Sequence, residues 1–150
     1  MRALGVNVAV VMALALAGVS AAIAATNSTR AATVAAAHTG LGTVIVDSRG
    51  RTLYLFEKDK RGHSACAGAC ATYWPPLLTS AKPVAKAGLK QSLLGTIRRS
   101  DGRMQVTFAG HPLYLFFGDG KRGDSNGEGL HDFGAGWYVL APSGKKIDRD

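Results

Sequence analysis

The stretch that decides the fold reads Gly50-Arg51-Thr52-Leu53-Tyr54-Leu55-Phe56-Glu57-Lys58-Asp59, and it returns as Gly110-His111-Pro112-Leu113-Tyr114-Leu115-Phe116-Phe117-Gly118-Asp119. Both segments fit Gly-x-x-Leu-Tyr-Leu-Phe-x-x-Asp, and we call them motif copy one (50–59) and motif copy two (110–119). A pattern of this length that recurs so closely indicates an internal repeat. We therefore predict that the chain is built from two related units.

Each motif copy alternates as a strand does, because successive strand side chains point to opposite faces. In copy one, Tyr54 and Phe56 share one face, and Leu53 and Leu55 share the other. A strand that is apolar on both faces is expected to be covered on both.

Two roles are open for the motif residues Tyr54, Phe56, Asp59, Tyr114, Phe116 and Asp119. In the structural role, the aromatic residues belong to the core and the aspartates belong to turns, where a carboxylate accepts nearby backbone N–H groups. In the functional role, the two Tyr–Asp pairs line a cleft between the units and bind a ligand. The sequence favours the structural role.

The segments around the motif favour hairpins. Residues 42–46 are apolar and β-branched, and a polar turn at 47–50 joins them to copy one. In the second unit, residues 94–97 repeat Leu41-Gly42-Thr43-Val44, and the alternating segment 103–108 predicts an extra strand. Trp137-Tyr138-Val139-Leu140 corresponds to Trp74-Pro75-Pro76-Leu77 and predicts a strand without the prolines.

Two segments depart from the strand pattern. Residues 64–73 are rich in alanine and predict a short helix, which ends before Pro75 because the residue preceding a proline is pushed out of the helical region. Residues 79–90, with a proline and scattered lysines, predict an exposed connection.

These features predict an all-β fold with one helical turn at the cysteine segment. Two divergent hairpin or meander repeats, about 40–80 and 93–147, would pack as one antiparallel domain over 40–150 with approximate twofold symmetry. A lone hairpin is marginally stable, so the units are expected to share one core. The predicted core aromatics are Tyr54, Phe56, Trp74, Phe108, Tyr114, Phe116, Phe133, Trp137 and Tyr138.

The amino terminus has the layout of a secretory signal peptide. A basic start precedes an apolar run at 8–17, and Ala22-Ile23-Ala24 offers small residues for cleavage, so we predict a signal peptide at 1–25. The alternative is a membrane anchor, for which the apolar run is short. Residues 26–39 predict a flexible linker. No cysteine stands between the apolar run and Cys66, so we expect an exported protein, periplasmic or extracellular, without a lipid anchor or a membrane span after cleavage.

The chain is basic, with a net charge of +8. A basic surface favours anionic partners, and in an exported protein an anionic envelope component fits better than nucleic acid. The charges are mostly dispersed, which is typical of a solvated surface.

Two cysteines in an oxidising compartment predict a disulfide between Cys66 and Cys70. The alternative is a copper site, because His63 with two thiolates is a soft ligand set that suits Cu(I). We assign no cofactor.

A weak calcium-loop pattern occurs at Asp124, Asn126, Glu128 and Asp132, but the bidentate acidic residue expected at the twelfth position is Ala135. The sequence contains no nucleophile elbow, phosphate loop or paired-carboxylate motif. We therefore predict that the protein is not an enzyme.

The repeated Tyr-x-Phe-x-x-Asp, together with Cys66-Ala67-Gly68-Ala69-Cys70 and Trp74-Pro75-Pro76, resembles the family called "secreted repeat of unknown function". That family comprises predicted bacterial lipoproteins with tandem Y-x-[FWY]-x-x-D motifs. The resemblance covers about residues 40–147 and implies an exported bacterial protein. It implies no established activity, and it supplies no catalytic residues.

We expect an exported, non-catalytic binding or envelope-associated module whose ligand is unknown. The alternative is a periplasmic copper-binding or redox protein that uses His63, Cys66 and Cys70.

Overall fold

A computed structural model of the chain describes residues 30–86 and 88–149, so the predicted signal peptide lies outside the described residues. The described part contains nine strands, one short α-helix and one 3₁₀ turn. The strands are β1 (Ala31–Thr39), β2 (Gly42–Asp47), β3 (Tyr54–Phe56), β4 (Ala81–Ala85), β5 (Leu94–Arg98), β6 (Met104–Phe108), β7 (His111–Pro112), β8 (His131–Asp132) and β9 (Ala135–Val139). The helix α1 is Ala69–Tyr73, and the 3₁₀ turn is Gln91–Leu93.

The strands form three small sheets with the orders β2-β1-β4, β3-β9-β8 and β5-β6-β7. The predicted all-β class is confirmed, and α1 lies inside the segment predicted to be helical. One pair departs from the antiparallel prediction, because β1 and β4 run parallel. A parallel pair needs a long crossover, and here copy one and the cysteine segment supply it.

The two motif copies meet in the middle of the domain. The Tyr54 N–H donates to the Tyr114 carbonyl at 2.9 Å, and the Tyr114 N–H donates to the Tyr54 carbonyl at 3.0 Å. Each copy follows a long hairpin, β1–β2 in the first unit and β5–β6 in the second. The reciprocal exchange at the two tyrosines confirms the predicted repeat and its approximate twofold symmetry.

The prediction of a flexible linker at 26–39 is wrong for its larger part, since Ala31–Thr39 forms β1. Residues 26–29 lie outside the described residues. Strand β1 is the central strand of its sheet, between β2 and β4, so backbone pairing on both edges compensates for its weak alanine-rich pattern. Because β1 exists, the hairpin β1–β2 of the first unit is the counterpart of the hairpin β5–β6 of the second. The segment 103–108, which was predicted to be an extra strand of the second unit, therefore has an equivalent in the first.

The predicted exposed connection at 79–90 is also wrong in part, because it contains β4. Pro83 is tolerated there since it lies on an edge strand. The second Leu-Tyr-Leu-Phe segment forms isolated bridges at Tyr114 rather than a continuous strand.

The core has two layers, one on each face of β3. The aromatic layer contains Val44, Val46, Tyr54, Phe56, Cys66, Cys70, Trp74, Tyr114, Trp137 and Val139. The aliphatic layer contains Val34, Ile45, Leu53, Leu55, Leu77, Val106, Phe108, Leu113 and Leu140. Both faces of copy one are therefore covered, as its alternation predicted. The prediction that Phe133 belongs to the core is wrong, because its side chain is 41 % exposed.

Two tryptophans join the units at the centre of the aromatic layer. The Trp74 and Trp137 rings stack with centroids 3.9 Å apart and planes 6° from parallel. These residues occupy corresponding places in the two repeats. Burial of so much aromatic surface at one seam provides much of the hydrophobic stabilisation that neither unit could reach alone.

Replacing Val34 with Ala tests whether β1 belongs to the folded domain. Val34 is fully buried in the aliphatic layer, so we expect V34A to lower the free energy of unfolding by about 2 kcal/mol. Urea denaturation measures the change. The matched control is Val84→Ala on β4, where the valine is 39 % exposed and the change should stay within about 0.5 kcal/mol. Equal stability of V34A and the wild type would show that β1 is not part of the core.

Candidate functional site

The motif tyrosines and aspartates pair across the seam between the two copies. Tyr54 Oη donates to Asp119 Oδ2 at 2.7 Å, and Tyr114 Oη donates to Asp59 Oδ2 at 2.8 Å. Each tyrosine therefore uses the aspartate of the other copy. We call these four residues the crossed Tyr–Asp pairs.

The second oxygen of each aspartate holds the loop that follows its own copy. Asp59 Oδ1 accepts the Ala65 N–H at 2.6 Å, and Asp119 Oδ1 accepts the Asn126 N–H at 2.9 Å. The aspartates thus accept nearby backbone N–H groups, as predicted, and they also accept a tyrosine hydroxyl. Each carboxylate ties its own loop to the tyrosine of the opposite unit.

A buried polar network extends from the Tyr114–Asp59 pair. Tyr114 Oη lies 2.6 Å from Ser64 Oγ, which also accepts from Arg99 Nη1 at 3.0 Å. The same nitrogen donates to Gln105 Oε1 at 2.6 Å, and Arg99 Nη2 donates to the Cys66 carbonyl at 2.6 Å. This arginine connects β5 and β6 to the cysteine segment, so it fixes the second hairpin against the first unit.

Burial shifts the titration of the crossed pairs. Burial, reinforced by the neighbouring Asp119, raises the pKa of Tyr54, and burial followed by the charge of Asp59 raises the pKa of Tyr114. Both hydroxyls therefore remain protonated donors at neutral pH. Burial also raises the pKa of Asp59 to about 6, although the hydrogen bonds from Ala65 and Tyr114 oppose that shift.

Aromatic rings fill the space beside the crossed pairs. A Cβ atom on Gly127 would lie 2.7 Å from the Trp74 ring and 3.0 Å from the Tyr54 ring, so only glycine fits at that position. The Tyr54 ring also meets the Trp74 ring edge-on, with centroids 5.3 Å apart. Phe56 stacks on Trp137 at 4.0 Å. This packing favours the structural role of the motif residues over a ligand-binding cleft at the seam.

The cysteines form the predicted disulfide, with Cα atoms 5.2 Å apart. Neither sulfur is then a thiolate, which is the form that Cu(I) requires. His63 instead exchanges backbone hydrogen bonds with Lys60 across a tight turn. Residues 30–86 and 88–149 contain no group of three or more histidine, cysteine, aspartate or glutamate side chains placed to hold a metal ion.

The weak calcium-loop residues serve the backbone around them. Asp124 Oδ2 accepts two backbone N–H groups, and Glu128 Oε2 accepts the Val139 N–H at 2.6 Å. Asn126 Nδ2 donates to the Gly118 carbonyl at 3.1 Å. The structure does not bring these oxygens, or Asp132, together as a ligand set.

Three exposed aromatic side chains form a surface that the sequence did not predict. Tyr73 is 47 % exposed, Phe117 is 62 % exposed and Phe133 is 41 % exposed. The Tyr73 and Phe117 rings lie 4.8 Å apart at 84°, and the Tyr73 and Phe133 rings lie 6.2 Å apart at 41°. We call these three residues the aromatic surface. They come from the end of α1, the end of motif copy two and the β8–β9 turn.

Phe133 is held in an unfavourable backbone conformation. Its φ is +56°, and together with Gly134 at +90° it forms the two-residue turn between β8 and β9. Turns with two positive φ angles strongly prefer asparagine, aspartate and glycine, and a bulky residue in this region costs roughly 1–3 kcal/mol. The turn itself therefore does not account for a phenylalanine at this position. We take the exposed ring of Phe133 as a candidate functional feature.

The family that matches the chain is described as "Secreted repeat of unknown function", and it matches residues 35–78 and 95–141. The two matches together cover more than half of the chain. The chain belongs to this family. Its two family repeats coincide with the two units, each beginning in the hairpin that precedes a motif copy. No curated protein and no solved structure matches the chain.

Within the described residues, no helix has the length and apolar character needed to cross a bilayer. The family description supports export of the protein.

The aromatic surface breaks the symmetry of the two family repeats. The Phe117 N–H donates to the Tyr73 carbonyl at 2.9 Å, and the corresponding Glu57 N–H donates to the Gly136 carbonyl at 3.0 Å. The backbone contact is the same in both places, whereas the side chains are aromatic in one and Glu and Gly in the other. The repeat architecture therefore does not require aromatic residues here. The one signal in the sequence is that Phe117 replaces the acidic residue of copy one.

Replacing Tyr54 with Phe tests the crossed pairs. The change keeps the ring but removes the hydrogen bond to the Asp119 carboxylate and the one that the hydroxyl accepts from the Gly127 N–H, so we expect the free energy of unfolding to fall by about 2 kcal/mol. Urea denaturation provides the measurement. Tyr73→Phe is the matched control, because Tyr73 is exposed and its loss of a hydroxyl should change stability by less than about 0.5 kcal/mol. A Y54F protein as stable as Y73F would contradict the assigned role.

Replacing Asp59 with Asn tests the raised pKa. The folded-state pKa of about 6 lies above the ordinary value of 3.8, so the native state binds the proton more tightly than the unfolded state. Protonation of Asp59 then stabilises the fold below about pH 4, and this stabilisation is lost as pH rises through 6. We expect the free energy of unfolding of the wild type, relative to D59N, to decrease between pH 4 and pH 7. A difference that stays constant across this interval would contradict the shift.

Proposed function

We propose that the protein is a non-catalytic exported module that associates with an anionic lipid surface of the cell envelope. The observation that carries this proposal is the aromatic surface, with Phe133 held exposed on a turn that normally carries asparagine or glycine. Clustered exposed rings on a soluble domain mark interaction sites. Full burial of a large apolar side chain is worth roughly 1.5–3 kcal/mol, so three rings give a useful anchor.

The ring geometry favours a lipid surface over a polysaccharide. A sugar-stacking platform needs ring faces that lie in one plane, whereas the Tyr73 and Phe117 rings are almost perpendicular. Phe117 and Phe133 also carry no polar atom with which to bind hydroxyl groups. Aromatic side chains that present edges and an apolar tip suit insertion among lipid headgroups.

A lysine side chain beside the aromatic surface favours anionic lipid. Lys58 Nζ donates to the Phe133 carbonyl at 3.4 Å, and Lys60 and Arg61, on the next turn along the chain, are also exposed. The intervening Asp59 points inward to Tyr114, so it does not cancel these charges at the surface. Basic side chains near a membrane each contribute about 1 kcal/mol to binding of anionic lipid.

Acidic side chains near the aromatic surface are partly neutralised or covered. Glu57 pairs with Lys146 at 2.9 Å, and Asp132, next to Phe133, is half-buried. The net charge of +8 adds long-range attraction to an anionic surface.

A non-catalytic role is supported by the commitment of the motif side chains. The tyrosine hydroxyls and aspartate carboxylates that could take part in acid–base chemistry are used in the crossed Tyr–Asp pairs and in holding loops.

Vesicle sedimentation tests the proposed association. We expect the wild type to sediment with phosphatidylglycerol vesicles at low salt and much less with phosphatidylcholine vesicles. Phe117→Ser and Phe133→Asn should each weaken binding about ten-fold or more, since each removes an inserting ring. Lys58→Gln should weaken it about five-fold, and high salt should have the same direction of effect.

Two controls accompany this experiment. Val84→Ser removes an exposed apolar side chain on β4, and Lys82→Gln removes an exposed charge on the same strand, so neither should change vesicle binding. Phe133→Asn suits the turn and should fold at least as stably as the wild type. Equal binding by the ring variants would overturn the proposal, and so would capture by an insoluble polysaccharide without binding to either kind of vesicle.

A further inference from the structure

A second candidate site lies away from the aromatic surface and shares no residue with it. It is an open cleft of about 680 Å³ between the start of β1, the β2–β3 turn, the segment after α1 and the start of β6. Four arginines line it: Arg30, Arg49, Arg51 and Arg103. Ligand sites of soluble proteins fall in the same range of volumes.

Asp47, the acidic residue that lines the cleft, already has hydrogen-bond partners on both carboxylate oxygens. Asp47 Oδ1 accepts the N–H groups of Arg49 and Arg51, both at 2.9 Å. Its Oδ2 accepts from the Arg51 side chain at 2.8 Å and 2.6 Å. Asp47 is also buried, so it neutralises Arg51 and leaves the other arginines without its charge.

On the opposite wall, Arg103 is also paired. Its Nε and Nη2 donate to Asp101 Oδ2 at 2.9 Å and 2.6 Å. Asp101 therefore compensates the charge of Arg103, and the unpaired positive charge of the cleft comes from the other two arginines.

Arg30 and Arg49 form no ion pair within residues 30–86 and 88–149, and both side chains are exposed. The backbone of Arg30 is fixed by Ser80, whose Oγ accepts the Arg30 N–H at 2.8 Å. The backbone of Arg49 is fixed by Asp47. Two uncompensated guanidinium groups are therefore held on anchored backbone at the mouth of the cleft.

The wall between the arginines is apolar. Leu77, Leu78 and Met104 line it, together with small residues at the start of β1. Leu77 is buried and belongs to the aliphatic layer, whereas Leu78 and Met104 are half-buried. Methionine adapts its shape to an apolar partner, which suits an alkyl chain. The lining contains no aromatic side chain on which a nucleotide base or a sugar ring would stack.

We infer that this cleft binds an organic anion with an apolar tail, in which a phosphate or carboxylate headgroup lies between Arg30 and Arg49 and the tail lies on Leu78 and Met104. The planar fork of arginine matches phosphate and carboxylate oxygens. Because arginine keeps its charge at all physiological pH values, the protein side of this interaction is independent of pH. The site would add selection of an amphiphilic anion to the proposed envelope association, and it does not depend on that association.

Decyl phosphate below its micelle concentration is the probe, and the methyl group of Met104 is the reporter. Met104 is the single methionine among the described residues, and the other two methionines of the chain lie within the predicted signal peptide. Labelling with 13C-methyl methionine therefore gives one resonance in the cleft. We expect decyl phosphate to shift this resonance in a saturable way. Decanol and inorganic phosphate should each bind at least about ten-fold more weakly.

Matched arginine variants locate the headgroup. Arg30→Gln and Arg49→Gln should each weaken decyl phosphate binding about five-fold or more, and neither breaks an ion pair of the fold. Arg98→Gln on β5 is the control, since it removes the same charge outside the cleft and should leave binding unchanged. Leu78→Ser should weaken decyl phosphate binding while leaving the weak binding of inorganic phosphate as it was.

The inference fails if decyl phosphate leaves the Met104 resonance unmoved, or if the double variant R30Q/R49Q binds as tightly as the wild type. Inorganic phosphate that binds as tightly as decyl phosphate would overturn the role of the tail, and decanol that does so would overturn the role of the charge. The two proposals are separable: R49Q should retain vesicle binding, and Phe117→Ser should retain decyl phosphate binding.

Discussion

The fold depends on the exchange of hydrogen bonds between the two motif copies. The Tyr54 and Tyr114 backbones pair reciprocally, and their hydroxyls reach the aspartates of the opposite copies. A buried hydroxyl or carboxylate without its partner would lose its hydration and gain nothing in return. Since Asp59 and Asp119 also hold the loops that follow them, the cysteine segment and the loop at 120–128 both take their positions from this exchange.

The sequence predicted the elements that alternate clearly and missed those defined by their neighbours. The alternation of copy one correctly placed Tyr54 and Phe56 in one layer and Leu53 and Leu55 in the other. The crossing of the Tyr–Asp pairs could not be predicted, because spacing along the chain does not show which aspartate each tyrosine meets. Strands β1 and β4 were missed for a related reason, since their alanine-rich segments become strands through backbone pairing.

The aromatic surface was missed because a count of aromatic residues does not say which rings are covered. Phe133 was assigned to the core, yet its left-handed turn holds the ring at the surface. Two repeats that share a core are free to differ outside it. Here that freedom appears at Phe117, which corresponds to Glu57, and in the basic side chains that surround Asp47 and Asp101.

The crossed pairs also make the folding of each unit depend on the presence of the other. Tyr54 and Asp59 of the first unit lie sixty residues along the chain from Tyr114 and Asp119, with which they pair. Closing a loop of that length must precede every contact at the seam, and contacts between distant segments slow folding. Each half of the domain therefore depends on the other for a partner, and the smallest part of the chain in which all four motif side chains are satisfied is the pair of repeats.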